Sequence, residues 1–133
     1  MRAAVQTAHG LYLVDLEGDE VLGLDPDARL PPAEPVETGL PLVVAAARSG
    51  AVVVAVVDRR PPLVLSGDAG ATWRESGGGL PPGRAVAVSG DDPDTMLYAG
   101  RNRLYLSTNG GLFWRALAAE LPEIEDVAFA EPG

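Results

Sequence analysis

The chain contains no cysteine, which excludes disulfides, thiolate metal centres and a cysteine nucleophile together. It contains no lysine either, since all ten basic residues are arginine. Schiff-base chemistry and the phosphate-binding lysine of a P-loop are therefore absent. There is a single histidine, His9, and no G-x-S-x-G nucleophile elbow. The most membrane-like stretch, LPLVVAAARSGAVVVAVVD over residues 40–58, is broken at its centre by Arg48, Ser49 and Gly50, where a span is most apolar. Two buried strands joined by a tight turn explain it better. The opening MRAAVQTAHGLYLVDLEG has no apolar region of signal-peptide length, and the expected location is cytoplasmic.

What is present is acidic and rich in turns. At 133 residues and 47% apolar, the chain is one globular domain's worth. A net charge of −9 argues against nucleic acid or an anionic membrane as the main partner. Sixteen glycines and twelve prolines favour many short strands over long helices.

The strongest signal is a repeat. LSGDAGATWRES, residues 65–76, returns 41 positions later as LSTNGGLFWRAL, and the similarity extends outward on both sides. Each unit reads as four short β-branched or alternating runs divided by turn residues, hence four antiparallel strands, A to D. In the last unit the spacing predicts A over 84–89, B over 95–100, C over 103–107 and D over 113–117. The middle unit reads 42–48, 51–57, 62–66 and 72–75. The N-terminus supplies strands B, C and D with no A before them, and the C-terminal EIEDVAFAEPG supplies an A strand with nothing after it. The chain thus holds three units, the first cut between its A and B strands.

The loop Ser66-x-Asp68-x-Gly70-x-Thr72-Trp73 resembles the Asp-box of BNR repeats, found in sialidases, sortilin-type receptors and YCF48-like photosystem assembly factors. Ser107-x-Asn109-x-Gly111-x-Phe113-Trp114 is a degenerate copy, and the first unit keeps only Gly18. The resemblance implies an all-β fold of β-propeller blades, three per chain: residues 1–30 with strand 124–130, then 40–80, then 83–120. It also implies a structural role for the Asp-box. Asp68 can accept hydrogen bonds from its own turn, Gly70 can supply a positive φ, and Trp73 can pack between blades.

Propellers typically close with four to eight blades, so three leave two apolar faces bare. A homodimer forming a six-bladed ring resolves this, with strand 124–130 of each chain expected on the first blade of its partner. The alternative is an open half-ring completed by another protein.

The B–C loops of a propeller share one face. Here they are residues 7–10, 58–62 and 100–103, which gather His9, Arg59, Arg60, Arg101 and Arg103. Such a basic cluster on an acidic protein suits carboxylates, phosphates or an acidic protein partner. Alternatively, these arginines are solvated turn residues paired with Asp58, Glu120, Glu123 or Glu125. Val14 to Ser66 spans 52 positions against 41 for Ser66 to Ser107, so about 11 residues are inserted in the proline-rich LDPDARLPPAEPVETGLP. That connection reads as a lip over the channel or as cover for an edge.

No catalytic set stands out. The sialidase F-R-I-P motif is missing, Tyr12, Tyr98 and Tyr105 alternate with apolar residues as packing groups do, and Asp91, Asp92 and Asp94 form a turn signal. No cofactor or metal is implied. The reading is a binding module for an anionic ligand, a glycan or a protein. Its rival is a glycan-processing enzyme whose site forms across the dimer.

Overall fold

A computed structural model describes residues 1–32 and 35–130. Residues 33–34, inside the proline-rich connection, and 131–133, in the stretch expected to join the two ends of the repeat, lie outside the described residues. Among the described residues there is no helix. The strands are β1 (Arg2–Thr7), β2 (Gly10–Asp15), β3 (Glu20–Asp25), β4 (Val43–Ser49), β5 (Val52–Val57), β6 (Leu63–Ser66), β7 (Arg74–Ser76), β8 (Ala85–Val88), β9 (Met96–Ala99), β10 (Leu104–Ser107), β11 (Arg115–Ala116) and β12 (Ile124–Ala130). They form three four-stranded antiparallel sheets. The first blade is β12-β1-β2-β3, the second β4-β5-β6-β7 and the third β8-β9-β10-β11.

Most strands fall within two residues of the sequence reading. The outermost strands β7 and β11 are shorter at their starts, because the repeated loop takes the residues before them. Thr72 and Phe113 give their backbone N–H groups to the side chains of Asp68 and Asn109 rather than to a neighbouring strand.

The third blade lies in the middle. One of its faces carries Ala87, Leu97, Leu104 and Leu106 and packs against Val5, Val14 and Val127 of the first blade. Its other face carries Val86, Met96 and Tyr98 and packs against Val54, Val56, Leu63 and Leu65 of the second blade. Strand β5, VVVAVV, is apolar at every position because both its faces are covered. Tyr98 is fully buried with its ring edge-on to both Tyr105 and Trp114. Its hydroxyl donates to the Pro81 carbonyl, and Gly83 must lack a side chain because a Cβ there would lie 2.5 Å from that hydroxyl.

The sequence places strand 124–130 on a partner chain's first blade. The structure corrects this: β12 pairs with β1 of its own chain, from Arg2 opposite Ala130 to Thr7 opposite Ile124. The insertion supplies the physical reason. After β3 the connection runs to Leu42 before β4 begins, and at ~3.3 Å per residue it is long enough to pass the third blade. The first blade can therefore sit beside the third instead of half a ring away. Leu30 anchors the start of this connection by donating its N–H to Gln6 Oε1 at 2.8 Å. Further along, Pro31, Pro35 and Val36 face the inner strands β4, β8 and β12 across a cleft of about 920 Å³. The connection thus lies along the channel itself.

Leu97 is fully buried between the third and first blades, whereas Leu24 on β3 is 45% exposed. In urea titrations Leu97→Ala is expected to cost about 2–5 kcal/mol, and Leu24→Ala under about 0.5 kcal/mol. Equal costs would contradict the blade packing.

Candidate functional site

The repeated loop proves to be a closed hydrogen-bond net. Ser66 Oγ donates to Asp68 Oδ1 at 2.7 Å and accepts from the Gly70 N–H at 2.8 Å. Asp68 accepts from the Thr72 N–H at 2.9 Å and from the Thr72 hydroxyl at 2.6 Å. Ala69 and Gly70 both have positive φ, which folds the turn back onto Ser66. Donors on both oxygens favour the ionised carboxyl. The Thr72 hydroxyl, then its N–H, then the Ser66 hydroxyl hold Asp68 down at about 2. The second copy repeats the net with an amide: Ser107 Oγ donates to Asn109 Oδ1, which accepts from the Phe113 N–H. Both loops spend their polar groups on themselves, which suits a structural element rather than a site.

The B–C loops and the connections between blades form the opposite end. Gly100 abuts Pro81 and Pro82, so the third-blade loop touches the connection arriving from the second blade. Asn102 and Arg101 accept backbone hydrogen bonds from Leu121 and Ile124, which ties the same loop to the chain entering the first blade.

Within this surface the five sequence candidates separate. Arg103 Nη2 lies 3.1 Å from Glu120, and Arg101 Nε lies 3.7 Å from Glu123. Glu123 also accepts from Arg84 at 2.7 Å, and that bond, with the Arg84 and Arg101 charges, holds its carboxyl below the usual range. Arg101 and Arg103 are therefore the paired turn residues of the alternative reading. Arg59 and Arg60 are exposed and, among the described residues, have no ion pair. They stand at the mouth of a cleft of about 850 Å³ between the second and third blades, lined by Pro61, Pro62, Leu80, Pro82 and Tyr105. His9 is exposed in the first-blade loop, its backbone N–H on Thr7 Oγ1, and it does not line this cleft.

The far wall of the cleft, residues 78–83, escaped the sequence reading, which treated GGGLPPG as a link between blades. Its glycines and prolines were the available signal. Little in the site is suited to catalysis. Asp92 holds its own turn by accepting from the Asp94 N–H and the Thr95 hydroxyl. Burial, with Tyr105 adding, pushes the Tyr98 phenol far above its ordinary value. Among the described residues no group of three or more histidine, aspartate or glutamate side chains is placed to hold a metal.

Two solved structures share this architecture. One is YCF48 bound to D1 peptide, with a TM-score of 0.50 and 18% identity over 62% of this chain and 28% of that one. The fold is that of a β-propeller. The second is the GH74 enzyme of Niastella koreensis, with a TM-score of 0.50 and 19% identity over 90% of this chain and 18% of the enzyme. The chain thus spans less than a third of either, and at these identities the likeness is one of fold. No protein-family model matches the chain, and no curated protein does.

The loop net sets a pH dependence. Asp68 has a folded value near 2, below its unfolded value of about 3.9. The stability it contributes is complete above that unfolded value and disappears as pH falls through the folded one. Melting temperatures from pH 5 to pH 2 should fall more steeply for the unaltered chain than for Asp68→Asn. Parallel curves would show that the net adds nothing to the fold.

Proposed function

We propose that this protein is a non-catalytic β-propeller module that binds an anionic ligand: a small anion, an acidic glycan or an acidic segment of another protein. The single observation carrying this is the Arg59–Arg60 pair, free of carboxylates among the described residues, at the mouth of the cleft walled by Leu80, Pro82 and Tyr105. A guanidinium offers a planar fork of donors that matches a carboxylate, sulfate or phosphate. The prolines and Tyr105 form a preformed apolar wall against which the rest of a ligand can lie. That YCF48 was solved with a bound peptide supports a protein or peptide as the ligand.

In this reading the repeated loops are Asp-boxes of BNR type, the protein is cytoplasmic, and two copies form each functional ring. Arg101, Arg103 and His9 belong to the rim of the binding face and act on the ligand less directly than Arg59 and Arg60. The fold shared with a GH74 enzyme makes glycan hydrolysis the rival, and turnover on a panel of hydrolase substrates would replace the binding reading.

Sulfate, phosphate and sialic acid test the cleft directly. A ligand at a hundred times its dissociation constant stabilises by about 2.7 kcal/mol, a rise in melting temperature of several degrees for a domain of this size. The unaltered chain and Arg101→Glu should both show the rise, and Arg59→Glu with Arg60→Glu should abolish it. A melting temperature indifferent to all three anions would remove the support for an anion site.

A further inference from the structure

Each blade carries the same pair of leucines two positions apart on its third strand: Leu11 and Leu13 on β2, Leu63 and Leu65 on β6, Leu104 and Leu106 on β10. Strand alternation puts both members on one face. In the second blade that face meets the third blade, and Leu63 and Leu65 are 0% and 2% exposed. In the third blade it meets the first, and Leu104 and Leu106 are 1% and 5% exposed. In the first blade Leu11 and Leu13 are only half-buried, and no further blade lies beyond them.

The outermost strand follows the same rule. Arg74, opposite Leu65, donates to the Gly110 carbonyl of the next blade at 2.6 Å. Arg115, opposite Leu106, donates to the Leu16 carbonyl of the next blade at 2.8 Å. The residue opposite Leu13 is Gly23, so the first blade offers a flat apolar face with no such arm. At the other end of the arc, Ala55, Val64 and Trp73 occupy the second blade's outer face. They stand where Tyr98, Tyr105 and Trp114 of the third blade receive the leucines of the second. Their cover comes from Leu40 and Ala46 of the same chain, and Trp73 remains half-buried.

We propose that these two faces are the halves of a third inter-blade junction, made between copies of the chain. The Leu11–Leu13 face of one copy seats on the Ala55–Val64–Trp73 face of another. Made twice about a two-fold axis, this junction closes six blades and buries all the leucine pairs. Charge agrees with the docking: Asp126 lies on the leucine face, in line with Gln6 and Leu11. Arg48 lies on the Trp73 side, two positions from Ala46 on β4, and has no ion pair among the described residues. The assignment rests on the two-copy ring proposed above and adds which surfaces make it. It also restores to each chain the partner that its own β12 does not seek, since β12 is satisfied within the chain.

Light scattering over a dilution series, with circular dichroism to follow the fold, tests the junction. The unaltered chain should show twice its 13.8 kDa mass. Leu13→Glu and Trp73→Arg should each remain folded and scatter as monomers, with dimer affinity weakened roughly 30-fold or more. Because each variant damages a different half, mixing them should restore the dimer through one intact junction and one Glu–Arg junction. If Leu13→Glu stays dimeric, or the mixture stays monomeric, this junction is wrong while the two-copy ring stands. If the unaltered chain is monomeric throughout, both are wrong. Tryptophan emission of the unaltered chain gives a reading free of substitutions: it should shift to the red as dilution halves the mass, and an unchanged spectrum would overturn the junction.

Discussion

A four-stranded sheet with apolar side chains on both faces cannot stand in water by itself, and everything in this molecule follows from that. Central strands such as β5 and β9 bury side chains to left and right, so each blade needs a neighbour on each side. Only the third blade has both. The repeat is thus a rule for contact as much as for folding: leucines and alanines leave one face, and valines and aromatic rings receive them on the next. The small groups on one side let the large rings on the other interdigitate at interior density, which is why Tyr98 and Trp114 cluster at a junction instead of within a blade.

The blade rule also separates the two ends of the structure by role. At one end the repeated loops consume their own polar groups, and the Asp68 and Asn109 nets hold the chain reversal in place. At the other end the connections between blades carry glycines, prolines and arginines whose donors are only partly used. Glu120 and Glu123 neutralise Arg103, Arg101 and Arg84, leaving the cleft between the second and third blades as the place where positive charge faces solvent. An acidic protein thereby shows one localised cationic spot, and the surrounding negative field favours ligands whose own charge is concentrated enough to seek it out.

The strands were legible because turn residues and β-branched runs repeat with a fixed spacing, and because the two copies of the loop fix their register against each other. The partner of β12 was not legible. Pairing with one's own β1 or with a neighbour's uses the same residues in the same register, and only the course of the connection after β3 decides. The sequence did carry its trace, an insertion of about 11 residues relative to the repeat, but length alone does not say which way a chain turns. In the site, the loops bearing Arg59 and Arg101 could be placed from the repeat. Their different fates could not, since Glu120 and Glu123 reach the arginines only after residues 117–123 fold back along the third blade. The wall formed by Leu80 and Pro82 was hidden for a similar reason: nothing in a Gly-Pro string distinguishes a bare link from a link that lines a cleft.

The closure of the first blade by the last strand has a consequence for how the chain comes into being. On the ribosome β1, β2 and β3 emerge first, yet their sheet lacks its innermost member until β12 has been made, more than a hundred residues later. The second and third blades hold all their own strands and can assemble on each other in the meantime. Pairing β1 with β12 then closes nearly the whole chain into one loop, the most non-local contact in the fold and the slowest kind to form. The residues translated first are thus among the last to reach their final place, and throughout that interval Leu11 and Leu13 stand open to whatever chain is being made alongside.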